Sequence, residues 1–97
     1  MNIKEIFPDR VLIADCVPIG IPDLGFVYMN DIGVWNITIN SKSSACNNKT
    51  ITIAQLLELF QHASSGFAGA QKQFEQELPV LVSEIQKFHE KEIITFL

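Results

Sequence analysis

Residues 67–88 read FAGAQKQFEQELPVLVSEIQKF, and this stretch decides the fold that we predict for the chain. Its apolar side chains recur every seventh residue, with two more between them on the same side: Phe67, Phe74, Leu81 and Phe88, then Leu78 and Ile85. That spacing predicts a helix with one apolar face. At about 1.5 Å of rise per residue the helix would be roughly 33 Å long, which is longer than one small sheet would cover.

Pro79 interrupts this stretch but leaves its apolar pattern in phase, because the proline falls on the side away from the apolar face. We therefore predict one long helix bent at Pro79, with a second helix starting there as the alternative. Val80 and Val82 lie about 100° to either side of Leu81, so this turn is apolar almost all the way round. Such a turn needs cover on more than one side, from the rest of the fold or from a second chain.

Two short apolar segments near the middle of the chain form the clearest strand pair. Residues 26–29 and 34–40 are separated by a turn that contains Gly33, a residue that readily adopts a positive φ. In the second segment apolar and polar residues alternate, so one face of the strand should be apolar and the other wet. We predict a β-hairpin whose apolar face receives the helices.

The other segments are interpreted from their composition and caps. Residues 10–15 form a β-branched apolar run and predict a buried strand, whereas residues 17–25 hold too many prolines and glycines for a helix or a central strand. Thr52 begins a capping-box spacing ahead of a helical repeat, which predicts a helix over residues 53–63. The β-prone tail, residues 93–97, is expected to return to the sheet as an edge strand or to extend the last helix.

Strands thus come first along the chain and helices last, which is the pattern of an α+β fold. We predict a single α+β domain over residues 1–97. Its small antiparallel β-sheet, of roughly three to four strands, should be covered on one face by a C-terminal helical hairpin that ends in the long helix. Residues 41–48 are expected to be a polar loop.

Charge and composition argue against some classes of partner. The chain carries eleven acidic and seven basic residues, for a net charge of −4, and the basic residues are scattered rather than gathered into a patch. Nucleic acid and anionic membranes are therefore not expected as partners, whereas a basic protein partner suits an acidic domain. No apolar run approaches the length of a membrane span, and the first residues lack a signal-peptide core, so we expect a cytoplasmic protein.

The cysteines and histidines form no metal-site pattern. Cys16 and Cys46 lie thirty residues apart without a Cys-x-x-Cys spacing, and no two of the cysteines and histidines lie within four residues of each other. We therefore expect no metal and no cofactor. In a cytoplasmic protein the two cysteines are predicted to be free thiols.

No catalytic signature accompanies these residues. The serines at residues 64–65 lack a Gly-x-Ser-x-Gly elbow and precede a glycine, which is typical of a helix end. Prolines around residues 20–25 remove backbone N–H groups that a phosphate-binding loop requires. The aspartates at strand ends have an ordinary role in turns, so we predict that the chain is not an enzyme.

The first functional hypothesis is a non-enzymatic protein-binding domain. It would act as an inhibitor, an immunity-type antagonist or a small chaperone by masking a basic surface of a protein partner. The candidate contact residues are Pro79, Val80 and Val82 on the last helix, with Asp23 and Asp31 as charges on the loops.

Two alternatives come from other classes of protein. In one, the chain is a subunit of a homo-oligomeric assembly and forms a homodimer through its C-terminal helix. In the other, it is a small ligand-binding domain or enzyme with a site under the proline-rich loop of residues 17–25. A pocket that holds two titratable groups at that loop would favour this last alternative.

Overall fold

The computed structural model describes residues 1–18, 23–65 and 68–96. Over these residues the chain has an α+β fold with a four-stranded sheet and a separate two-stranded sheet. The helices are α1 (Ile3–Ile6), α2 (Ser44–Asn48), α3 (Ile53–Gln61) and α4 (Gln71–Ile85), and a 3₁₀ turn spans Ala68–Ala70. The strands are β1 (Leu12–Val17), β2 (Gly25–Met29), β3 (Trp35–Asn40), β4 (Thr50–Thr52), β5 (Ser64–Ser65) and β6 (Ile93–Thr95).

β3 is a central strand of the larger sheet, whose strand order is β1-β3-β2-β5. It pairs antiparallel with β2 and parallel with β1, while β2 pairs parallel with β5. The predicted β-hairpin is confirmed, with Gly33 at a φ of +80° in its turn. The prediction of a purely antiparallel sheet is wrong, because β1 lies beside β3 in the same direction instead of beside β2.

The helix after β4 begins where the sequence predicted. Thr52 Oγ1 accepts a hydrogen bond from the backbone N–H of Gln55 at 3.1 Å, and Gln55 Oε1 accepts one from the N–H of Thr52 at 2.9 Å. This capping box starts α3, which packs against β2 and α4. Within the described residues β5 and the 3₁₀ turn lie between α3 and α4, so the predicted helical hairpin covering the sheet is not seen.

The long helix is continuous across Pro79, as the unbroken apolar phase predicted. It is shorter than predicted, because the small residues Ala68–Ala70 form a 3₁₀ turn before Gln71 and the helix ends at Ile85. Phe88 lies beyond that end and packs against the core from a partly buried position. Phe67 lies outside the described residues.

Two short elements differ from the sequence-based expectations. Residues 41–48 are not all loop, because Ser43 Oγ accepts a hydrogen bond from the N–H of Cys46 at 3.2 Å and starts α2. A five-residue helix is too short to show an apolar repeat, so no periodicity predicted it. The tail forms the expected strand, β6, but it pairs with β4 in the second sheet and not at the edge of the main one.

Alternate residues of β3 anchor the core. Trp35, Ile37 and Ile39 are each at most 2% exposed. The ring of Trp35 lies 5.8 Å from the ring of Phe60 and 5.3 Å from the ring of Phe74. The apolar face of β3 therefore meets α3 and α4, as its alternation of residue types predicted.

Cys16 and Cys46 are joined by a disulfide, so the prediction of two free thiols is wrong. Their Cα atoms are 5.7 Å apart, within the usual range for a disulfide. The sequence did not predict this bond, because its two cysteines are thirty residues apart. β1 pairs with β3 in parallel, so the end of β1, which contains Cys16, lies beside the end of β3, from which the chain continues to Cys46. Disulfides persist mainly in oxidising compartments, and the cytoplasmic location stays a prediction.

The oxidation state of the cysteines is open to direct measurement. Protein purified without reductant and then unfolded should show no free thiol, and two after reduction, because both cysteines are in the bond. Alkylation followed by mass spectrometry counts the thiols. Two alkylated cysteines before reduction would contradict the disulfide and restore the sequence-based expectation.

Candidate functional site

The structure separates the contact residues that were predicted on α4. Pro79 is exposed, and Val80 is 46% exposed. Val82 is partly buried and packs against the core. Positions two apart on a helix differ by about 200°, so the two valines face different sides of α4. Of the two valines, Val80 is the one available to a partner.

The two predicted loop charges lie at opposite ends of β2. Asp23 precedes the strand and Asp31 follows it in the hairpin turn, and both are exposed. The five residues of β2 correspond to a separation of about 17 Å at the usual rise of a strand. The hairpin turn contacts α4, since Gln73 Nε2 donates to the carbonyl oxygen of Gly33 at 3.1 Å. Asp31 therefore lies at the α4 end of β2, and Asp23 at the other.

Val80 lines a cavity of about 420 Å³ between α4 and the segment that joins α1 to β1. We term it the α4 cleft, formed by residues 6–10 together with Val80 and Glu84. Phe7 is 3% exposed, and its ring lies 5.8 Å from the ring of Phe60, so this segment is held against the core. The cleft thus has an apolar side built on buried residues.

Charged groups surround the α4 cleft. Arg10 Nη1 donates to Glu77 Oε1 in a half-buried ion pair, which ties the cleft segment to α4 and neutralises the guanidinium locally. Asp9 and Glu84 add two carboxylates to the lining, and Lys87 Nζ lies 3.0 Å from Glu84 on the exposed side. These five side chains are three carboxylates and two basic groups, so the rim has a net charge of −1, and Asp9 is its carboxylate outside the two ion pairs.

A buried donor lies close to this cleft. Trp35 Nε1 has no hydrogen-bond partner within residues 1–18, 23–65 and 68–96. Trp35 also lines a cavity of about 230 Å³ together with Arg10 and Glu77. A buried N–H without an acceptor costs about 1 to 3 kcal/mol, so this donor lowers the stability of the fold by an amount of that order.

A second cavity, of about 310 Å³, lies between the start of β2 and the end of α3. We term it the β2–α3 pocket, and its lining includes Asp23, Leu24, Phe26, Glu58, Leu59 and His62. Three titratable side chains therefore line one cavity at the end of the proline-rich loop, which favours the ligand-binding alternative. Residues 19–22 of that loop lie outside the described residues.

Sequence reasoning named Asp23 but missed the other polar residues of the two cavities. Glu58 and His62 are four residues apart within a predicted helix, and that spacing places them on one face. Arg10 and Glu77 are 67 residues apart, and no sequence pattern links them. The sequence thus contained a usable signal for Glu58 and His62 in the β2–α3 pocket, and at the α4 cleft it contained one for Val80 but not for the pairing of Arg10 with Glu77.

The described residues were also searched for a metal site and for a membrane-spanning helix. No group of three or more His, Cys, Asp or Glu side chains in the described segments is placed to hold a metal ion. Across the same part of the chain, no helix combines the length and hydrophobicity that crossing a bilayer requires.

Comparison of the chain with protein-family models, curated proteins and solved structures found no match.

Proposed function

We propose that the chain is a non-enzymatic protein-binding domain that holds a basic segment of a partner protein in the α4 cleft. The main support is Val80, which is 46% exposed in the wall of a cavity that Asp9 and Glu84 also line. An apolar centre with a rim of complementary charge is the usual composition of a protein interface. The role would be that of an inhibitor, an immunity-type antagonist or a small chaperone.

The other predicted contact residues take different parts in this proposal. Pro79 is exposed next to Val80 and would extend the contact along α4. Asp31 would add a carboxylate at the hairpin turn that contacts the same helix. Val82 supports the helix from the core side, and Asp23 belongs to the β2–α3 pocket.

The substitution Val80→Lys tests the proposal. The new lysine would repel a basic segment in the α4 cleft. We therefore expect the dissociation constant of the complex with the partner to rise about tenfold or more. The free energy of unfolding should change by no more than about 0.5 kcal/mol, because Val80 lies at the surface and is 46% exposed. The partner would be identified by co-purification from the cells that encode the chain, and its affinity measured by calorimetry with purified proteins.

Gln71→Lys is the matched control for that experiment. It adds the same charge to an exposed position nine residues before Val80 and on the opposite side of α4, so it should leave the affinity unchanged. Binding of the wild type should also weaken as salt is raised. Equal losses in the two lysine variants would attribute the effect to net charge, and no loss in Val80→Lys would place the interface elsewhere.

A second copy of the chain fits the cleft less well than a basic partner. A two-fold contact through α4 would bring two acidic rims together, which opposes association. A dimer that sedimentation detects in the wild type and not in Val80→Lys would favour the homo-oligomeric alternative instead.

A further inference from the structure

We propose that β1 pairs with β1 of a second copy of the chain, so that two four-stranded sheets become one continuous sheet across a two-fold axis. The surface involved is the open edge of β1, and the inference does not rest on the function proposed for the α4 cleft. Addition of a strand to an open sheet edge is a common mode of protein recognition, in which backbone hydrogen bonds make the contact.

The open edge of β1 presents backbone groups to an incoming strand. Within the described residues the neighbour of β1 in the sheet is β3, on one side. The N–H of Ser41 donates to the carbonyl oxygen of Val17 at 2.8 Å, so the backbone groups of Val17 point towards β3. Alternate residues of a strand direct these groups to opposite sides, so those of Leu12 and Ala14 point to the open edge. Each of these two residues therefore offers a donor and an acceptor there.

β1 lacks the features that usually keep a sheet edge unpaired. Natural edge strands are commonly very short or carry a lysine, a proline or a bulge. β1 has six residues without Lys or Pro, and it pairs with β3 residue by residue. The opposite edge of the sheet, β5, has two residues. Pairing through β1 thus uses the long edge of each copy and leaves little edge for a third.

An antiparallel pairing with the two-fold axis at Ile13 fits the side chains of β1. Leu12 and Ala14 pack against the core, whereas Ile13, on the other face, is 46% exposed. This register places Ile13 opposite Ile13 of the second copy, and Leu12 opposite Ala14. A shift by one residue would turn core-facing residues of one copy to the solvent face of the other. A shift by two would place Asp15 opposite either Asp9 or Ile13, which sets like charges together or removes the apolar contact at the axis.

The same register brings opposite charges together. It places Asp15 of the second copy opposite Val11, which lines a cavity of about 290 Å³ with Lys4. Lys4 and Asp15 are both exposed, and neither belongs to an ion pair within the part of the chain that the structure describes. The two-fold axis makes this contact at each end of the paired strands. Charge complementarity therefore favours a second copy as the occupant of the edge.

Sedimentation equilibrium from about 10 µM to about 1 mM tests the pairing, because a contact of this size should be reversible. The wild type should pass from monomer to dimer over that range. Ile13→Lys sets two lysines opposite each other at the axis and should raise the dissociation constant of the dimer about tenfold or more. Val80→Lys is the matched control, because Val80 is also 46% exposed but lies on α4, and it should leave the dimer unchanged.

Ile13→Cys tests the register directly. Opposite residues of this kind have Cα atoms about 4.5 Å apart, which is within the range of a disulfide. Mild oxidation should therefore join two Ile13→Cys chains into a dimer that a non-reducing gel detects and a reductant separates. Val80→Cys should stay monomeric on the same gel. Circular dichroism shows whether each variant remains folded.

Several results would overturn the proposal. A wild type that stays monomeric up to about 1 mM would leave the edge of β1 to a strand of a different protein. Equal losses of dimer in the two lysine variants would attribute the effect to net charge, and a dimer lost in Val80→Lys alone would place the contact on α4. Ile13→Cys chains that do not cross-link would contradict the register. A monomeric wild type would leave the basic partner proposed for the α4 cleft untouched.

Discussion

The Phe60→Ala variant is expected to lose about 4 kcal/mol of its free energy of unfolding, because removal of a buried aromatic ring sacrifices apolar contacts and leaves a cavity. Phe60 is 0% exposed, and its ring lies 5.8 Å from the rings of both Phe7 and Trp35. It therefore joins α3 to β3 and to the segment that forms the α4 cleft. Small domains have about 5 to 15 kcal/mol of stability, so the loss would be a large part of the total.

Urea unfolding followed by circular dichroism measures this loss. Phe26→Ala is the matched control, because Phe26 is 40% exposed on the other face of the sheet and should cost about 1 kcal/mol or less. If the two alanine variants unfolded at the same urea concentration, the ring contacts of Phe60 would not contribute to stability as expected.

Gly25→Ala should destabilise the protein by about 3 kcal/mol, because overpacked sites force backbone shifts. A Cβ atom at Gly25 would fall well inside van der Waals contact of the Thr38 carbonyl oxygen and lie 3.0 Å from the Cα atom of Ile39. Both atoms belong to the backbone of β3, which pairs with β2 at this position. The added methyl group can be accommodated only by moving the two strands apart.

Gly69→Ala provides the comparison for that experiment. A Cβ atom at Gly69 meets nothing within 4 Å, so the change should be neutral or stabilise by up to about 1 kcal/mol through the unfolded state. Thermal and urea unfolding of both variants would be measured under the same conditions. If the Gly25→Ala and Gly69→Ala variants had the same free energy of unfolding, that result would contradict the close approach of β2 to β3 at Gly25.

Features that depend on near neighbours in the sequence were predictable. The capping box at Thr52 and Gln55 formed as its spacing predicted, and the hairpin turn closed at Gly33. In that turn Asn30 Oδ1 also accepts hydrogen bonds from the N–H groups of Ile32 and Val34, at 3.1 and 2.9 Å. Each of these contacts joins residues no more than four positions apart, so the local sequence contains everything needed to form them.

The candidate site was predictable only in part. The sequence placed Val80 and Val82 on either side of an apolar helix turn, and it gave both the same status as contact residues. Packing against the core then covered one side of α4, which left Val80 46% exposed and Val82 partly buried. The ion pair of Arg10 with Glu77, which ties the cleft segment to α4, had no counterpart in any sequence pattern.

By itself, the sequence determined the α+β class, the hairpin, the start of α3 and the continuity of α4 across Pro79. Each of these follows from periodicity or from caps, which depend on residues only a few positions apart. Only the tertiary structure decided that β1 lies parallel to β3, that Cys16 is joined to Cys46, and that β6 pairs with β4. These pairings join segments about twenty or more residues apart, and such contacts depend on which apolar faces pack together, a choice that no local pattern encodes.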